Sequence, residues 1–395
     1  MKKGIKIGLI VSLSLVGVMA LAILGDVVAI VIRGQRIGNI DLTINHHSNE
    51  EELKTDTNYK ITSYNVGFGA YSQDFTFFLD DGYDLNNNVT YGHYSTAKSK
   101  DEVNFNINGA VSTIKGLNVD FVLFQELDTD STRSYHIDEN KMVCDNFTSF
   151  DNIHACNYHS AFLPYPLYDM HGRSTAGLTT LSKYKIKEAK RIEFSIASGI
   201  SQYTELDRCY SYAVINVNNG KKFYLVNLHM SAYDEGGVIR SKQVSELNEF
   251  LKARKENDDY VVLGGDFNQD LITYNPDYSY NTTTNKAFNN ITKSPSWIYT
   301  LFSEDGTSPF IEGYKVVAND NHPSNRSNNV EWGDETNFVS VIDGFIISNN
   351  VELVSSRNIT TYNGNKGLEG FAYSDHEPIY MEFKLKWWKS YFWWI

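Results

Sequence analysis

Residues 260–268 read Tyr-Val-Val-Leu-Gly-Gly-Asp-Phe-Asn, an apolar run that ends in two glycines followed by acid and amide side chains. A short apolar run that stops at turn-forming residues is typical of a buried β-strand. Polar side chains at the end of such a strand lie at the rim of a sheet, where layered α/β proteins usually place their sites. The stretch therefore predicts a strand over residues 260–264 that delivers Asp266 and Asn268 to a cleft.

Five other segments join a short apolar run to Asn, Glu, Asp or His in the same way. They are Tyr64-Asn65-Val66, Phe124-Gln125-Glu126, Asn227-Leu228-His229, Ile342-Asp343-Gly344 and Ser374-Asp375-His376. Of the six segments, five come at the end of a run, and the one at Asp375 immediately precedes a run. Any single segment has an ordinary explanation, such as a turn residue or a buried histidine. Six in one chain indicate a common site.

The remaining pattern predicts a layered α/β domain. Further strands are predicted at residues 59–66, 121–125, 179–181, 212–217, 223–230, 341–347 and 380–383. A helix is predicted within residues 235–255, where apolar side chains recur at helical spacing. Residues 68–108 and 271–337 are rich in Asn, Ser, Thr, Asp and Tyr, and are predicted to be long loops.

In this order, the six segments resemble those of the endonuclease/exonuclease/phosphatase superfamily, which includes deoxyribonuclease-type enzymes, abasic-site endonucleases, neutral sphingomyelinases and inositol polyphosphate 5-phosphatases. The resemblance extends over residues 59–384, and residues 178–184 look like that family's central strand. It implies a four-layer α/β sandwich, with two mixed β-sheets packed face to face and helices outside. Two departures bear on substrate choice: Gly344 stands where an aromatic often follows the Asp, and the connection from Asn65 to Glu126 is unusually long.

Hydrolysis of a phosphoester needs a cation on the phosphate and an oriented water. Asn65, Glu126 and Asp375 offer hard oxygen ligands of the kind that Mg²⁺ or Mn²⁺ prefers, and the sequence contains no Cys or multi-His cluster that indicates zinc. The resemblance assigns Asn65 and Glu126 the same role. These three residues are therefore the predicted metal ligands.

Other residues are predicted to handle the water and the phosphate. Asp266 and Asn268 are two apart on an extended segment and should project to one side, so one accepts a proton from water while the other orients it. The resemblance implies the same role for this pair. His376 is expected to contact the scissile phosphate, with Asp343 on its other ring nitrogen raising its pKa. His229 is expected to be either a second phosphate ligand or the acid for the leaving group.

Composition limits how the chain can bind its substrate. The formal net charge of −13 argues against broad, non-specific binding to a polyanion, although it permits a local basic cleft. Arg173 is either a clamp for the phosphate or an ordinary surface arginine. Three cysteines cannot form a disulfide framework or a four-cysteine zinc site.

The N-terminus predicts a membrane anchor. Lys2 and Lys3 precede an apolar run at residues 7–24 that residues 27–32 extend, which is long enough to span a bilayer. A cleavable signal peptide is the alternative, because Ala20-Leu21-Ala22 has the pattern that signal peptidase recognises. The continuing apolar run favours an uncleaved anchor over residues 1–32. The N-terminal lysines favour export of the remainder, against Arg33 and Arg36 on the other flank, and cleavage would make the protein secreted.

The rest of the chain divides into three predicted regions. Residues 33–57 are polar and are interpreted as a tether or stalk, and residues 58–385 as the catalytic domain. Residues 386–395 read Lys-Trp-Trp-Lys-Ser-Tyr-Phe-Trp-Trp-Ile. Tryptophan and lysine together favour a membrane interface, and packing on the domain is the alternative.

Together these features predict a membrane-anchored, divalent-metal-dependent phosphoester hydrolase that uses activated water. The first hypothesis is a nuclease-like phosphodiesterase acting on nucleic acid outside the membrane. The second is a lipid phosphoester hydrolase of sphingomyelinase or phosphoinositide phosphatase type, which the anchor and the aromatic tail motivate. The third is a non-catalytic surface module with the same fold. No obligate protein partner is inferred.

Overall fold

A computed structural model of the chain describes residues 3–47, 50–80, 82–84, 88–198, 205–232, 237–272, 301–303, 307–364 and 368–387. The helices of this part are α1 (Lys3–Arg33), α2 (Lys100–Gly116), α3 (Glu139–Asn146) and α4 (Val238–Glu256). The strands are β1 (Ile40–Asp41), β2 (Asn58–Asn65), β3 (Gly82–Tyr83), β4 (Val89–Thr90), β5 (Phe121–Asp128), β6 (Asp151–His159), β7 (Thr175–Ser182), β8 (Ile186–Glu193), β9 (Cys209–Asn216), β10 (Lys222–His229), β11 (Tyr260–Asp266), β12 (Tyr314–Val317), β13 (Asn325–Arg326), β14 (Val339–Ser340), β15 (Asp343–Ser348), β16 (Val351–Asn358) and β17 (Ile379–Leu385).

Two large sheets form the body of the protein. One has seven strands in the order β1-β8-β9-β10-β11-β15-β12, and the other has six in the order β16-β17-β2-β5-β7-β6. Each sheet contains a parallel pair among antiparallel neighbours, β10 with β11 in the first and β2 with β5 in the second. Both sheets are therefore mixed.

Aromatic side chains from both sheets meet in the interior. The ring centroid of Phe223, from β10, lies 5.5 Å from that of Phe121 on β5 and 5.8 Å from that of Phe383 on β17. All three side chains are fully buried, and burying each contributes about 1.5–3 kcal/mol relative to exposure. This contact holds the two sheets face to face.

Helices cover the outer faces of both sheets. Leu247 of α4 belongs to the same buried cluster as Leu263 of β11, on the outside of the seven-stranded sheet. On the other side, Ile107 and Ile114 of α2 are clustered with Phe124 of β5. The order of layers is helix, sheet, sheet, helix, and the predicted four-layer α/β sandwich is confirmed.

The predicted strands are all present, with shifted ends, but one predicted loop is partly helical. Helix α2 begins within residues 68–108, where Ser99 caps it by accepting a hydrogen bond from the Glu102 amide at 3.1 Å. Its buried side chains recur at helical spacing, whereas the Asn-rich outer face obscures that pattern in the sequence. Residues 273–300 and 304–306 of the second predicted loop lie outside the described residues, as do residues 388–395 of the aromatic tail.

The polar segment predicted as a stalk packs along the domain. Strand β1 pairs with β8 at the edge of the seven-stranded sheet, and Leu53 is fully buried. His46 Nδ1 lies 2.9 Å from the Asp151 carboxylate. Both residues of β1 are exposed to solvent. The strand therefore lacks the alternation of apolar and polar residues that would predict it from the sequence.

Helix α1 stands apart from this body. Its residues Gly4–Arg33 are long and apolar enough to cross a membrane, by length and composition. The most apolar part of the helix is not buried against the rest of the described protein. Its exposed apolar surface accords with the predicted anchor.

Position 265 accepts only glycine, because the neighbouring atoms leave no room for a side chain. Its φ is +147°, and a Cβ there would lie 2.0 Å from the Leu228 carbonyl oxygen on the adjacent strand. We expect Gly265→Ala to lower the free energy of unfolding by roughly 3 kcal/mol, measured by denaturant titration. Gly116→Ala, at the end of α2, meets nothing within 4 Å and should be neutral or slightly stabilising. Equal stability of the two variants would contradict this explanation.

Candidate active site

The strand directions bring the six predicted segments to one rim. Strands β2, β5, β10 and β11 run towards this rim, whereas β15 and β17 run away from it. His229, Asp266 and Asp343 are register partners on three adjacent strands. Asp375 and His376 come shortly before β17, so they reach the same rim. The convergence predicted for the site follows from this topology.

A buried polar network joins the two sheets beneath the rim. Gln125 Nε2 donates to Asn227 Oδ1 at 2.7 Å and to Ser63 Oγ at 3.0 Å. All three residues are buried. Because unpaired polar groups in an interior are costly, these bonds fix the relative position of the strands that carry the site.

Asn65 lies at the centre of the cluster. Its Nδ2 donates to Glu126 Oε1 at 3.0 Å and to Asp266 Oδ2 at 3.1 Å, and lies 3.4 Å from His376 Nε2. Its Oδ1 accepts a hydrogen bond from the Gly67 amide at 3.0 Å. In this arrangement Asn65 presents amide hydrogens to the acids, whereas the predicted metal-ligand role would use its oxygen.

Glu126 reaches the cluster from an irregularity in β5. The pairing of β5 with β7 shifts register between Phe124 and Leu127, and Glu126 has a φ of +58°. This bulge turns the side chain towards the rim. Desolvation and then the nearby Asp375 carboxylate raise the pKa of Glu126, while Arg133 opposes them.

Asp266 ends β11 and is almost completely buried. Desolvation raises its pKa to about 7, with Asp343 and Glu126 adding to the effect and His376 opposing it. Its Oδ1 accepts the Asn268 amide at 2.8 Å. The pair differs from its predicted geometry, because Asn268 has a φ of +50° and its Nδ2 donates to the Met230 carbonyl at 2.9 Å. The strand ends at Asp266, so the two side chains do not share one extended face.

His376 and Asp343 adopt the predicted pairing. His376 Nδ1 lies 2.8 Å from Asp343 Oδ2, which also accepts from Ser324 Oγ at 2.7 Å. Although desolvation lowers the pKa of His376, the carboxylates of Asp343, Asp375 and Asp266 outweigh it and raise that pKa well above its usual value. The imidazolium form is therefore favoured, with Nε2 directed at the cluster.

The pairing predicts a pH dependence. Asp343→Asn removes the negative charge beside His376, so its pKa should fall and the protonated form should be lost at a lower pH. We expect the alkaline limb of the kcat/KM profile to move to lower pH, and activity to drop by about 10- to 100-fold. A pH titration of phosphodiester hydrolysis measures both. An unchanged alkaline limb would contradict the proposed role of Asp343.

His229 contacts two acids of the site. Its Nε2 lies 3.4 Å from Asp266 Oδ2 and 3.8 Å from Glu126 Oε1. Burial, followed by the nearby Arg208 and His376 charges, lowers the pKa of His229 well below its usual value. The neutral imidazole is therefore favoured, with Nε2 directed at the cluster.

Arg173 forms its contacts outside the cluster of Asn65, Glu126 and Asp266. Its guanidinium pairs with Asp130, and its backbone amide donates to Thr132 Oγ1 at 3.1 Å. About a third of its side chain is exposed, at 36%. These contacts agree with the surface-arginine interpretation.

Sequence reasoning missed a buried cation next to the site. Arg133 forms a two-pronged pair with Asp128, at 2.8 and 3.1 Å, and its guanidinium carbon lies 3.8 Å from the Phe68 ring centroid. It is among the charges that lower the pKa of Glu126. Its spacing from Asp128 is ordinary for a turn, so no signal in the sequence set it apart.

Two amides also come from the predicted loop 271–337. Asn328 Nδ2 donates to Asp375 Oδ2 at 2.8 Å, and Asn325 Nδ2 lies 3.1 Å from His376 Nε2. Strand β13, which contains Asn325, pairs with β14 and holds this segment against the site. The sequence carries no marker for these amides, because Asn is common throughout the loop.

The residues present fit a divalent cation. Two groups, Glu126 with His229 and Asp266, and Asp266 with Asp343 and His376, have ligand atoms within 4.8 Å of one another. Carboxylates dominate both groups, and buried acids whose pKa is raised by desolvation are stabilised by a nearby positive charge. The oxygen-rich set suits Mg²⁺ or Mn²⁺.

One solved structure agrees with this fold, and two others with lower scores are similar to the chain. A protein from Beutenbergia cavernae DSM 12333, described as endonuclease/exonuclease/phosphatase, superposes with a TM-score of 0.50 at 13% identity, over 83% of this chain and 72% of that one. ANGEL2, a 2′,3′-cyclic phosphatase, has a TM-score of 0.48 at 14% identity, over 88% and 99%. TDP2 of D. rerio with a single-strand DNA product has a TM-score of 0.48 at 15% identity, over 83% and 100%.

The sequence also matches a family model directly. Among curated proteins no match is found. The model described as "Endonuclease/Exonuclease/phosphatase family" matches residues 103–376, more than half of the 395-residue chain and every predicted segment of the site except the one at Asn65. The chain belongs to the endonuclease/exonuclease/phosphatase family of phosphoesterases.

Proposed function

We propose that the chain is a divalent-metal-dependent phosphodiester hydrolase whose site is the rim cluster of residues 58–385. The observation that carries this proposal is the convergence of Asn65, Glu126 and Asp266 with two histidines, all joined by contacts of 3.0–3.8 Å. An ordinary structural cluster of this kind would be expensive, because buried acids that share one region repel one another. A phosphoester site explains why they are kept together.

The residues divide the chemistry among themselves. Glu126 and Asp375 are the proposed carboxylate ligands of Mg²⁺ or Mn²⁺, and Asn65 would join them through Oδ1 after its side-chain amide rotates to turn the oxygen to the cluster. The ion, when bound, would neutralise phosphate charge. Asp266 accepts the proton of the attacking water, and its raised pKa suits that task near neutral pH. The backbone amide of Asn268 donates a hydrogen bond to Asp266 and so orients its carboxylate. His376 and His229 donate hydrogen bonds to phosphate oxygens, and Asp343 orients His376.

A substrate panel tests the proposal. The purified full chain is incubated with bis-p-nitrophenyl phosphate, p-nitrophenyl phosphate, plasmid DNA and RNA, with Mg²⁺ or Mn²⁺ and with EDTA. Release of p-nitrophenolate from the diester only with a divalent ion is the expected result. Absence of hydrolysis of every substrate under all conditions would favour the non-catalytic surface module.

A lipid phosphoester is the second candidate substrate. Helix α1 favours it, because Gly4–Arg33 is apolar and long enough to hold the domain at a bilayer. The acidic net charge of −13 also opposes broad attraction to nucleic acid. An anchored enzyme meets lipid headgroups at high local concentration without needing a long-range field.

A further inference from the structure

An exposed apolar hairpin stands between β6 and β7, at residues 160–174. Five large apolar side chains within nine residues are exposed there: Phe162, Tyr165, Leu167, Tyr168 and Met170. The exposed fractions of Leu167 and Tyr168 reach 77% and 83%. Residues 161–168 carry no charge. Clustered apolar exposure of this kind marks a surface that contacts another apolar phase.

The base of this hairpin is tightly held. Leu163 and Gly172 exchange two backbone hydrogen bonds of 3.0 Å. The Asp169 carboxylate accepts from the Ser95 amide and from Thr96 Oγ1, both at 3.1 Å, and buried His171 lies 2.7 Å from the Ser95 carbonyl. These hydrogen bonds fix the base of the hairpin. The apolar side chains at its tip are therefore exposed in a well-held conformation.

The hairpin lies at the rim of the candidate active site. Ala176, just after the hairpin, is the register partner of Asp128, two residues beyond Glu126. A neighbouring loop adds to the same surface, because the ring of Phe78 lies 6.0 Å from that of Tyr165. The described residues 78–80 and 88–91 of this loop carry three further exposed apolar side chains, Leu79, Val89 and Tyr91. Its residue Thr90 accepts a hydrogen bond from Asn329 at 2.6 Å, one residue from the Asn328 that contacts Asp375.

The chain that follows helix α1 joins the domain at this same rim. His159, immediately before the hairpin, places Nε2 3.1 Å from the Gln35 carbonyl oxygen. Arg36 pairs with Asp207 and donates to the Phe194 carbonyl at 2.8 Å, beyond the end of β8. Between the helix end at Arg33 and this fixed point the chain spans at most roughly 10 Å. A membrane that holds the helix would therefore lie close to the hairpin.

We infer that the hairpin inserts its apolar tip into the same bilayer that holds α1, so that the candidate active site faces lipid headgroups and acts on a phosphodiester of a membrane lipid. This inference rests on the proposed hydrolase function and names its substrate class. Apolar insertion, and not charge, provides the contact, because the tip is uncharged and the chain is acidic. A bilayer with zwitterionic headgroups is accordingly a sufficient surface.

The test uses the full chain reconstituted in vesicles of phosphatidylcholine and sphingomyelin with Mg²⁺. Headgroup release is measured beside hydrolysis of bis-p-nitrophenyl phosphate by the same preparation. The hairpin variant is Leu167→Ser with Tyr168→Ser. The control variant is Val354→Ser with Trp387→Ser, which removes side chains that are 42% and 49% exposed away from this rim. Trp387 follows β17 at the end opposite the site, so it also tests contact through the tail.

We expect the hairpin variant to release headgroups about tenfold more slowly or worse, while its hydrolysis of the soluble diester stays within about twofold of wild type. The control variant should match wild type in both assays. Unchanged headgroup release by the hairpin variant, or a loss confined to the control variant, would overturn the inference.

The two proposals can fail separately. Hydrolysis of the soluble diester and of DNA or RNA, without release of any headgroup, would overturn the lipid inference and leave the proposed hydrolase function intact. A wild-type chain that hydrolyses neither soluble diester nor lipid with Mg²⁺ or Mn²⁺ would overturn both.

Discussion

Glu126→Gln is expected to lower kcat/KM for bis-p-nitrophenyl phosphate by about 1,000-fold, because it removes a carboxylate from the proposed metal site. Glu126 Oε1 accepts a hydrogen bond from Asn65 Nδ2 at 3.0 Å, and Glu126 lies in the irregularity of β5 between Phe124 and Leu127. Because a ligand is lost, the variant should need a higher Mg²⁺ concentration for half-maximal activity, and EDTA should abolish wild-type activity.

Glu382→Gln is the matched control. Glu382 lies on β17 in the same sheet and accepts from Asn58 Nδ2 at 2.6 Å, at the start of β2. Asn65 and the site lie at the other end of that strand. This variant should keep wild-type kinetics, and a comparable loss in both variants would show that the effect of Glu126→Gln is not specific to the site.

Asp266→Asn is expected to reduce kcat by about 1,000-fold or more with little change in KM. The substitution keeps the shape and the hydrogen bond from the Asn268 amide, but it removes the group that accepts a proton from water. Because an interaction needed only in the transition state is lost, kcat and kcat/KM should fall together.

Asp259→Asn provides the control for this prediction. Asp259 immediately precedes β11, at the opposite end of the strand from Asp266, and accepts the Lys222 amide at 3.3 Å. Steady-state kinetics of the two variants, with thermal melts to verify folding, separate proton transfer from structural damage. If Asp266→Asn keeps more than about a tenth of wild-type kcat, Asp266 is not the base.

The strands and the convergence of the site were predictable from local pattern. Apolar runs at β5, β10 and β11 are short and followed by polar residues, because both faces of these strands are buried. Strands such as β16 were missed, since most of its side chains are exposed or only partly buried and its composition is polar. A strand with neither an apolar run nor alternation gives no signal.

The details of the site were less predictable, because they depend on backbone conformations and on distant segments. Glu126 and Asn268 both have positive φ, which apolar patterning does not reveal. Asn328 lies 47 residues before Asp375, which it contacts, and Asn325 lies 51 residues before His376. Side-chain contacts over such distances follow from tertiary folding alone.

The central claim is that the rim cluster holds a catalytic divalent ion. A crystal grown with Mn²⁺, examined by anomalous scattering at the manganese edge, tests it most directly. We expect one strong peak bounded by Glu126, Asp375 and Asn65, at roughly 2.0–2.3 Å from carboxylate oxygens, and its loss in Glu126→Gln. A wild-type crystal with manganese bound only elsewhere on the protein, and no density among these residues, would contradict it.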